Sequence, residues 1–581
     1  MKKNLTVFAL VLLLGIGIWF ALQKNDKTSL SNSTTESIDA NVNTDDDDEK
    51  INWANYQNTD YTLTESIVLT EEGVYRLTGT IEDGLITIRT SGNIKLVLNN
   101  VNITNSSGPA IYVEEASDVV IETVEGTANY LEDGKNYNGY EADEIGTIFS
   151  HDDLTLTGEG TLVVVSNHED GIVSKDDLKF VSGTYEITST DDGIRGKDSV
   201  YIQNGNFKIT SGGDGIKSTN DTDSEKGYVY IENGTFEITA DLDGIQAETK
   251  LLVENGDFSI TTGGGSGNAS TSTSWGMWGR GSTTNQTYPD SAKGMKSGSN
   301  LVIQGGTFTI NSSDDAIHSN DSIGIKGGTF TITSGDDGIH ADTELMIDSG
   351  NINITKSYEG IESAKITING GDISVVSSDD GINVAGGTDS SAMGRPGENR
   401  YSNTTDNILT INDGTIYVNA SGDGIDVNGT IYMNGGTVKV DGPSDSGNGA
   451  LDYDSDFIVN GGTLFAGGSS GMMQGVSNSS SIYNVQIAFS TSYNAATTIA
   501  ILDSEAKEIL SYQSSKSYNS LVIASPEFKK GETYTIQVNG TTDQTFTITS
   551  ITTSIGNIGG MGGNRPGDMG GNRPGSMGGR R

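Results

Sequence analysis

The sequence has no cysteine, so disulfides, thiolate metal sites and cysteine nucleophiles are all excluded. Basic residues are also few. The chain has 34 Lys and Arg residues and 78 Asp and Glu residues, which gives a net charge of −44. A chain this acidic repels phosphate backbones, and we therefore expect no nucleic-acid partner. It attracts cations instead, and calcium is the main candidate outside a cell.

Long apolar runs are absent except at the start, where Leu5 to Leu22 carry no charge and follow Lys2 and Lys3. This pattern predicts an export signal or an uncleaved membrane anchor over residues 1–24. We expect residues 25–51 to be a disordered acidic linker and residues 551–581 a disordered Gly/Arg-rich tail. The protein is then secreted, or anchored to the outer face of the cytoplasmic membrane.

Glycine is abundant, with 78 residues, and it recurs within a repeat of about 22 residues. In one unit the apolar residues are Val200, Ile202, Phe207, Ile209 and Ile216, at steps of two, five, two and seven. Steps of two are typical of strands, and Asn-Gly or Gly-Gly corners separate them. The pattern predicts an all-β parallel β-helix over 52–481, including an N-terminal cap, with three strands per coil. A small antiparallel β unit over 482–550 is expected to cover the far end.

Three insertions, at 218–228, 262–293 and 384–407, flank the third strand of their coils. Loops on a rigid scaffold often carry function, and we expect these to border a groove along the third-strand face. Two insertions contain aromatic residues that either stack on sugar rings or pack the loop onto the scaffold: Trp275, Trp278, Tyr288 and Tyr401.

Acidic residues precede the third strand in most coils and are doubled in several. Stacked about 4.8 Å apart, such carboxylates would repel one another unless they share a cation. Each could equally be an ordinary corner residue that bonds a backbone N–H. The predicted calcium ligands are Glu169, Asp170, Asp191, Asp192, Asp214, Asp243, Asp314, Asp315, Asp336 and Asp337.

Basic residues stand beside the first of these acids. Arg195, Lys197 and Lys217 are candidate contacts for an acidic sugar, together with Trp275 and Trp278. Calcium with a nearby base would also suit β-elimination of a uronic acid, with Lys217 or Arg195 as the base. Binding or simple salt-bridging is the favoured interpretation, and no catalytic residue is assigned. His318 and His340 occupy equivalent positions in successive coils, where polar filling is favoured over metal binding.

Several motifs together resemble a known family, the secreted carbohydrate-binding β-helix proteins of Gram-positive bacteria. The resemblance covers about 60–550 and rests on the following segments: Gly73-Val-Tyr-Arg-Leu-Thr-Gly79, Lys95-Leu-Val-Leu-Asn-Asn-Val101, Gly108-Pro-Ala-Ile111, Asn129-Tyr-Leu-Glu-Asp-Gly134, Ile148-Phe-Ser-His-Asp-Asp-Leu154, Glu169-Asp-Gly-Ile-Val-Ser-Lys-Asp-Asp-Leu178 and Asp192-Gly-Ile-Arg-Gly-Lys-Asp198. It implies a right-handed parallel β-helix with a pectate-lyase-like architecture, bound calcium, and binding of cellulose-like and acidic pectic polysaccharides.

These observations predict a monomeric, extracellular, calcium-dependent polysaccharide-binding protein. Two alternatives stay open: a polysaccharide lyase that works by calcium-assisted β-elimination, and a structural surface adhesin without glycan specificity. The balance is against an enzyme, because nothing in the sequence indicates a base with a lowered pKa.

Overall fold

The computed structural model describes residues 38–40, 42, 51–137, 139–269, 291–385 and 407–557. Apart from a 3-10 turn at Trp53–Asn55, the regular elements of this part of the chain are strands. Most of them stack in parallel as the coils of a β-helix, as the repeat predicts, and each coil contributes one strand to each of three faces. We name these faces the first, second and third sheets.

The first sheet contains the strand that opens each coil. Its strands are Asn58–Leu63, Gly73–Ile81, Ile94–Thr104, Asp118–Thr123, Asp153–Gly158, Asp177–Phe180, Ser199–Ile202, Tyr228–Ile231, Leu251–Val253, Leu301–Ile303, Ser322–Ile325, Glu344–Ile347, Lys365–Ile368, Ile408–Ile411, Thr430–Met433 and Phe457–Val459. The strand Ile94–Thr104 pairs along both the first and the second sheet, which joins the two.

The second sheet follows a glycine corner. Its strands are Ala128–Glu132, Thr161–Val165, Thr184–Ser189, Asn206–Ser211, Thr235–Ala240, Asp257–Thr262, Thr307–Ser312, Thr329–Thr333, Asn351–Lys356, Asp372–Ser377, Thr415–Ala420, Thr437–Asp441 and Thr463–Gly468. Backbone φ is +107° at Gly306 and +77° at Gly436, so these corners need the left-handed conformation that glycine adopts most easily.

Within the described residues the third sheet has fifteen strands, mostly three residues long. They are Ile67–Leu69, Ile86–Arg89, Ile111–Glu115, Gly146–Ser150, Asp170–Ser174, Ile194–Gly196, Ile216–Ser218, Ile245–Ala247, Met295–Ser297, Ile317–Ser319, Ile339–Ala341, Ile361–Ser363, Ile382–Val384, Ile425–Val427 and Leu451–Tyr453. Ile172 pairs with Ile194 and Ile194 with Ile216, which confirms the period of 22 residues.

The interior of the β-helix is an apolar column in which side chains at equivalent positions of successive coils stack on one another. Five phenylalanine rings of the second sheet are nearly parallel, with neighbouring centroids 4.6–5.0 Å apart: Phe207, Phe236, Phe258, Phe308 and Phe330. Residues that recur once per coil at the same corner necessarily meet in this way. The repeat therefore sets the packing as well as the topology.

The C-terminal unit has its own apolar core and docks on the last coil. Its strands are Asn484–Tyr493, Thr498–Leu502, Glu508–Gln513, Tyr518–Ala524, Thr533–Val538, Thr541–Thr547 and Thr552–Ile555. Tyr518–Ala524 runs antiparallel to Thr463–Gly468 and so covers the open edge of the second sheet. Thr552–Ile555, which the sequence placed in a disordered tail, is instead a strand that pairs with Asn484–Tyr493.

A short N-terminal segment also departs from the expected disordered linker. Ile38, Ala40 and Val42 pack on an apolar stripe along the outer face of the first sheet. That stripe is formed by Tyr201, Tyr228, Tyr230, Leu252, Val302 and Met346. A Cβ built on Gly324, in the same row, would lie 3.2 Å from Ile38 Cβ, so the missing side chain leaves room for this isoleucine. The alternation of apolar residues at 38, 40 and 42 explains why this piece of an otherwise polar linker is ordered.

Among the described residues no helix is long and apolar enough to cross a membrane. The apolar stretch from Leu5 to Leu22 lies outside them.

Candidate functional site

The acids that precede the third strands form a regular ladder along the β-helix. We call Asp170, Asp192, Asp214, Asp243, Asp315, Asp337, Glu359, Asp380 and Asp423 the carboxylate ladder. The backbone N–H of Asp192 donates to Asp170 Oδ1 at 3.0 Å, and that of Asp214 donates to Asp192 Oδ1 at 2.8 Å. Asp243 bonds Asp214 in the same way at 2.8 Å. One carboxylate oxygen in each of these coils thus satisfies a buried N–H of the next coil, which is the corner role considered above.

The second oxygen of the early ladder residues faces a base. Asp170 Oδ2 lies 3.1 Å from Arg195 Nη1, and Asp214 Oδ2 lies 2.7 Å from Lys217 Nζ. Lys296 Nζ is 3.2 Å from Asp243 Oδ2. Arg195, Lys217 and Lys296 lie in register on the third sheet, with Gln246 between the two lysines. We call these three residues the basic band.

The basic band is held in place by its acids and remains partly exposed. The side chains of Arg195, Lys217 and Lys296 retain 18–26% of their accessible surface. Burial opposes the charge on Lys217, but Asp214 and Asp192 outweigh it and raise the pKa of this ammonium above its ordinary value. Lys217 is therefore firmly protonated at neutral pH, and it is poorly suited to remove a proton from a substrate.

One coil carries a lysine where its neighbours carry an acid. The N–H of Lys293 bonds Asp243 Oδ1 at 2.7 Å, and its ammonium lies 2.7 Å from Asp315 Oδ2 and 3.1 Å from Asp314 Oδ2. Lys293 is 2% exposed. Sequence reasoning missed this residue, although the alignment of Lys293-Gly294-Met295 with the Asp-Gly-Ile units was the available signal.

Toward the C-terminus, the described acids of the carboxylate ladder no longer have basic residues as ion-pair partners. In the described part of the chain, Asp380, Asp423 and Asp426 form no ion pair with Lys, Arg or His. Burial, with repulsion from neighbouring carboxylates, raises the pKa of Asp426 to about 8. Burial likewise raises the pKa of Asp380 to about 7 and that of Asp423 to about 6. Ionising these carboxyl groups together is therefore costly in this half of the third sheet, and a bound cation would lower that cost.

The structure brings together two groups of three among the ten predicted calcium ligands. Asp170, Asp191 and Asp192 each place one carboxylate oxygen within 4.8 Å of the others. Asp314, Asp315 and Asp336 do the same, with Lys293 beside them. Asp170 Oδ2 is buried and accepts no hydrogen bond in the structure. This oxygen is of the type that calcium prefers, but it is already ion-paired with Arg195 at 3.1 Å, so calcium would have to share it with the guanidinium.

The remaining predicted ligands lie along the same edge. Asp214 and Asp243 are ladder residues paired with Lys217 and Lys296, and Glu169 is near His168, with Oε1 3.9 Å from Nε2. Asp337 contacts His340 Nδ1 at 3.1 Å.

A second acidic group, at the corner between the third and first sheets, was not predicted. Asp153, Asp176 and Asp177 place carboxylate oxygens within 4.8 Å of one another. Burial, with a hydrogen bond that the protonated Asp176 donates to Asp198, raises the pKa of Asp176 to about 6. The doubled acids at 152–153 and 176–177 are visible in the sequence, but they follow the third strand, whereas the ladder acids precede it.

The structure describes part of the predicted loop surroundings. Lys197 is exposed at the corner that follows Arg195. Asn220, in the 218–228 insertion, donates to Asp198 Oδ1 at 2.6 Å. On the opposite side of the third sheet, Ser266 bonds Asn311 Oδ1 through its N–H and Lys356 Nζ through its carbonyl. Trp275, Trp278, Tyr288 and Tyr401 lie outside the described residues.

Comparison with known proteins agrees with a glycan-related family. A family described as carbohydrate-binding domain-containing protein matches residues 64–338 and 336–381, together more than half of the chain. A carbohydrate-binding domain-containing protein of Acetivibrio thermocellus is 39% identical over 223 residues, which cover 38% of this chain and 78% of that protein. A solved structure of a polysaccharide lyase-like protein from C. thermocellum, a gadolinium derivative, is 32% identical with a TM-score of 0.35, covering 36% of this chain and 91% of that one. The chain belongs to the carbohydrate-binding domain-containing protein family.

Proposed function

We propose that the protein is an extracellular, calcium-dependent polysaccharide-binding protein for acidic pectic or cellulose-like glycans. The observation that carries the proposal is the basic band on a chain of net charge −44 that belongs to a carbohydrate-binding family. Arg195 and Lys217 lie on neighbouring coils, about 4.8 Å apart along the axis. A linear polyanion lying along the third sheet would meet a cation at successive coils, and Arg195 would add a bidentate contact to a sugar carboxylate. Lys197, Trp275 and Trp278 are the proposed additional contacts.

Calcium would be held at the N-terminal end of this face. Asp170, Asp191 and Asp192 are the proposed ligands, because their oxygens converge and Asp170 Oδ2, although ion-paired with Arg195, accepts no hydrogen bond. Bound there, the ion would supply positive charge beside the basic band and favour a carboxylated sugar over a neutral one. Glu169, Asp214 and Asp243 line the same edge, and the Asp314–Asp315–Asp336 cluster is a second, weaker candidate because Lys293 already neutralises it.

A lyase is the alternative activity. It requires an unprotonated base near the sugar C5 proton, whereas Asp192 and Asp214 hold Lys217 in its charged form. Cleavage of polygalacturonate would generate unsaturated products that absorb in the ultraviolet. We expect no such absorbance with calcium present, and its appearance, together with its loss in Lys217→Ala, would establish the lyase instead.

The binding proposal is tested by retention of polygalacturonate and cellulose with and without a chelator. Arg195→Gln should weaken polygalacturonate binding about tenfold, because a charge-assisted contact is lost. Asp192→Asn combined with Asp214→Asn should weaken both calcium and acidic-glycan binding while the β-sheet circular dichroism is unchanged.

Lys208→Ala is the matched control. It removes one exposed cation from the second sheet, whereas the basic band lies on the third sheet, and it should leave binding intact. Equal losses of polygalacturonate affinity in Arg195→Gln and Lys208→Ala would mean that binding depends only on the net charge of the protein. No retention of any glycan would favour the structural adhesin.

Location and anchoring are part of the same proposal. Residues 1–24 would export the chain and could hold it at the outer face of the membrane, with 52–481 as the binding domain and 482–550 as its cap. Cell fractionation with the full chain, compared with a chain lacking residues 1–24, should place the first outside the cell and keep the second inside.

A further inference from the structure

Two histidines occupy the same position in successive coils but have different surroundings. His318 and His340 pair in register on the third sheet and are 3% and 2% exposed. His318 is fully satisfied: Nδ1 is 2.9 Å from Asp315 Oδ2, and Nε2 is 2.9 Å from the Asn320 side-chain oxygen. Its coil therefore needs no further partner.

His340 instead has three carboxylates around its two ring nitrogens. Its Nδ1 lies 3.1 Å from Asp337 Oδ2 and 3.5 Å from Glu362 Oε2. Its Nε2 lies 3.3 Å from Asp342 Oδ1, which stands where the preceding coil has Asn320. His340 Nε2 and Asp342 Oδ1 are both buried, yet neither makes a hydrogen bond. Their 3.3 Å contact falls short of hydrogen-bond geometry, so the Nε2 side of the ring is incompletely satisfied while the Nδ1 side faces two carboxylates.

The charge pattern along the sheet points to a cation at this place. The column that contains the basic band runs from Arg195 through Lys296 to His318 and His340, and it continues with Glu362. Within the described residues, no Lys or Arg forms an ion pair with Asp337, Asp342 or Glu362. His340 thus marks the point where side-chain cations end and carboxylates accumulate.

We propose that Asp337, His340 and Glu362 bind a divalent metal ion of the zinc type. One atom from each residue falls within 4.8 Å of the other two. Zinc bonds to nitrogen and carboxylate oxygen at about 2.0–2.2 Å, so two ligands of a tetrahedral site are about 3.3–3.6 Å apart. The separations from His340 Nδ1, 3.1 Å and 3.5 Å, are close to that spacing.

Asp342 then acts as a positioning residue. A histidine that ligates a metal usually donates its other ring N–H to a carboxylate, which fixes the tautomer and the ring orientation. Asp342 Oδ1, 3.3 Å from His340 Nε2, is the carboxylate oxygen placed to accept that N–H. Calcium fits this group poorly, because it prefers six to eight oxygen ligands rather than one nitrogen and two carboxylates.

The test is calorimetric titration of the metal-free full chain with Zn²⁺, alone and in excess Ca²⁺. We expect one equivalent of zinc that calcium does not displace. His340→Gln should weaken zinc binding about 100-fold, and Asp342→Asn about 10-fold. His318→Gln removes an equivalent buried ring one coil away and should bind zinc as the parent does.

Glu362→Gln keeps the experiment informative if His340→Gln fails to fold, since Glu362 is partly exposed and the replacement is isosteric. It too should lower zinc affinity about 100-fold while the β-sheet circular dichroism is retained. The proposal is overturned if the parent binds no zinc, if calcium displaces it at equal concentration, or if His318→Gln loses as much affinity as His340→Gln. None of these outcomes depends on glycan binding.

Discussion

Asp426 should destabilise the folded protein at alkaline pH, so that replacing it with asparagine is stabilising. Its carboxyl is partly buried among Asp380, Asp452 and Asp423, and its pKa rises from 3.8 to about 8. When the pKa of a carboxyl is higher in the folded than in the unfolded state, its contribution to the stability of the fold is fully present below the unfolded-state pKa. That contribution is lost as the pH rises through the folded-state pKa. This rise in the pKa corresponds to about 6 kcal/mol at most, at about 1.4 kcal/mol per pKa unit. Because solvent reaches part of the side chain, we expect about 2–4 kcal/mol at pH 8.

Urea unfolding of Asp426→Asn and the parent, in chelator at pH 8 and pH 4, measures this effect. The variant should gain about 2–4 kcal/mol at pH 8 and nearly nothing at pH 4, where the parent carboxyl is protonated. Asp372→Asn is the control, because it removes the same charge from an exposed position on the second sheet. A loss of stability at pH 8, an equal gain at both pH values, or the same gain in Asp372→Asn would refute the reasoning.

Three further predictions concern the scaffold. Asp192→Ala should cost about 1–3 kcal/mol in urea unfolding, because the buried N–H of Asp214 loses its acceptor; Asp192→Asn retains an oxygen and should cost less. Phe258→Ala, in the middle of the ring stack, should cost about 3–5 kcal/mol, and a loss below 1 kcal/mol would show that the stack is loosely packed. Gly324→Leu should expel Ile38 and raise hydrogen exchange in residues 38–42 while the melting temperature changes little; unchanged exchange would contradict the packing described.

The coils could be predicted because a β-helix repeats its environment once per turn. Residues such as Ile194 and Ile216 face the same interior, so their 22-residue spacing is itself the structural signal. The strands of the C-terminal unit were recognisable by their alternation, but the pairing of Tyr518–Ala524 with Thr463–Gly468 was not, since no local pattern encodes which edge a cap covers.

The site was only partly predictable, because its chemistry depends on individual atoms. The sequence places Asp192 and Lys217 on one face, but it does not show that Asp192 Oδ1 bonds the next coil and Oδ2 faces the ammonium. It also gives His318 and His340 the same position, whereas the difference between Asn320 and Asp342 decides whether the ring is satisfied. The contact of Ile38 with Gly324 joins distant parts of the chain, and no short-range pattern indicates it.

The central claim is that the third sheet binds acidic polysaccharide through the basic band with the help of calcium. The most direct measurement is the affinity of the full chain for polygalacturonate, with calcium and with chelator, for the parent, Arg195→Gln and Lys208→Ala. We predict calcium-dependent binding that Arg195→Gln weakens about tenfold and Lys208→Ala leaves unchanged. Affinity that neither chelator nor Arg195→Gln alters would contradict the claim and place glycan recognition elsewhere on the protein.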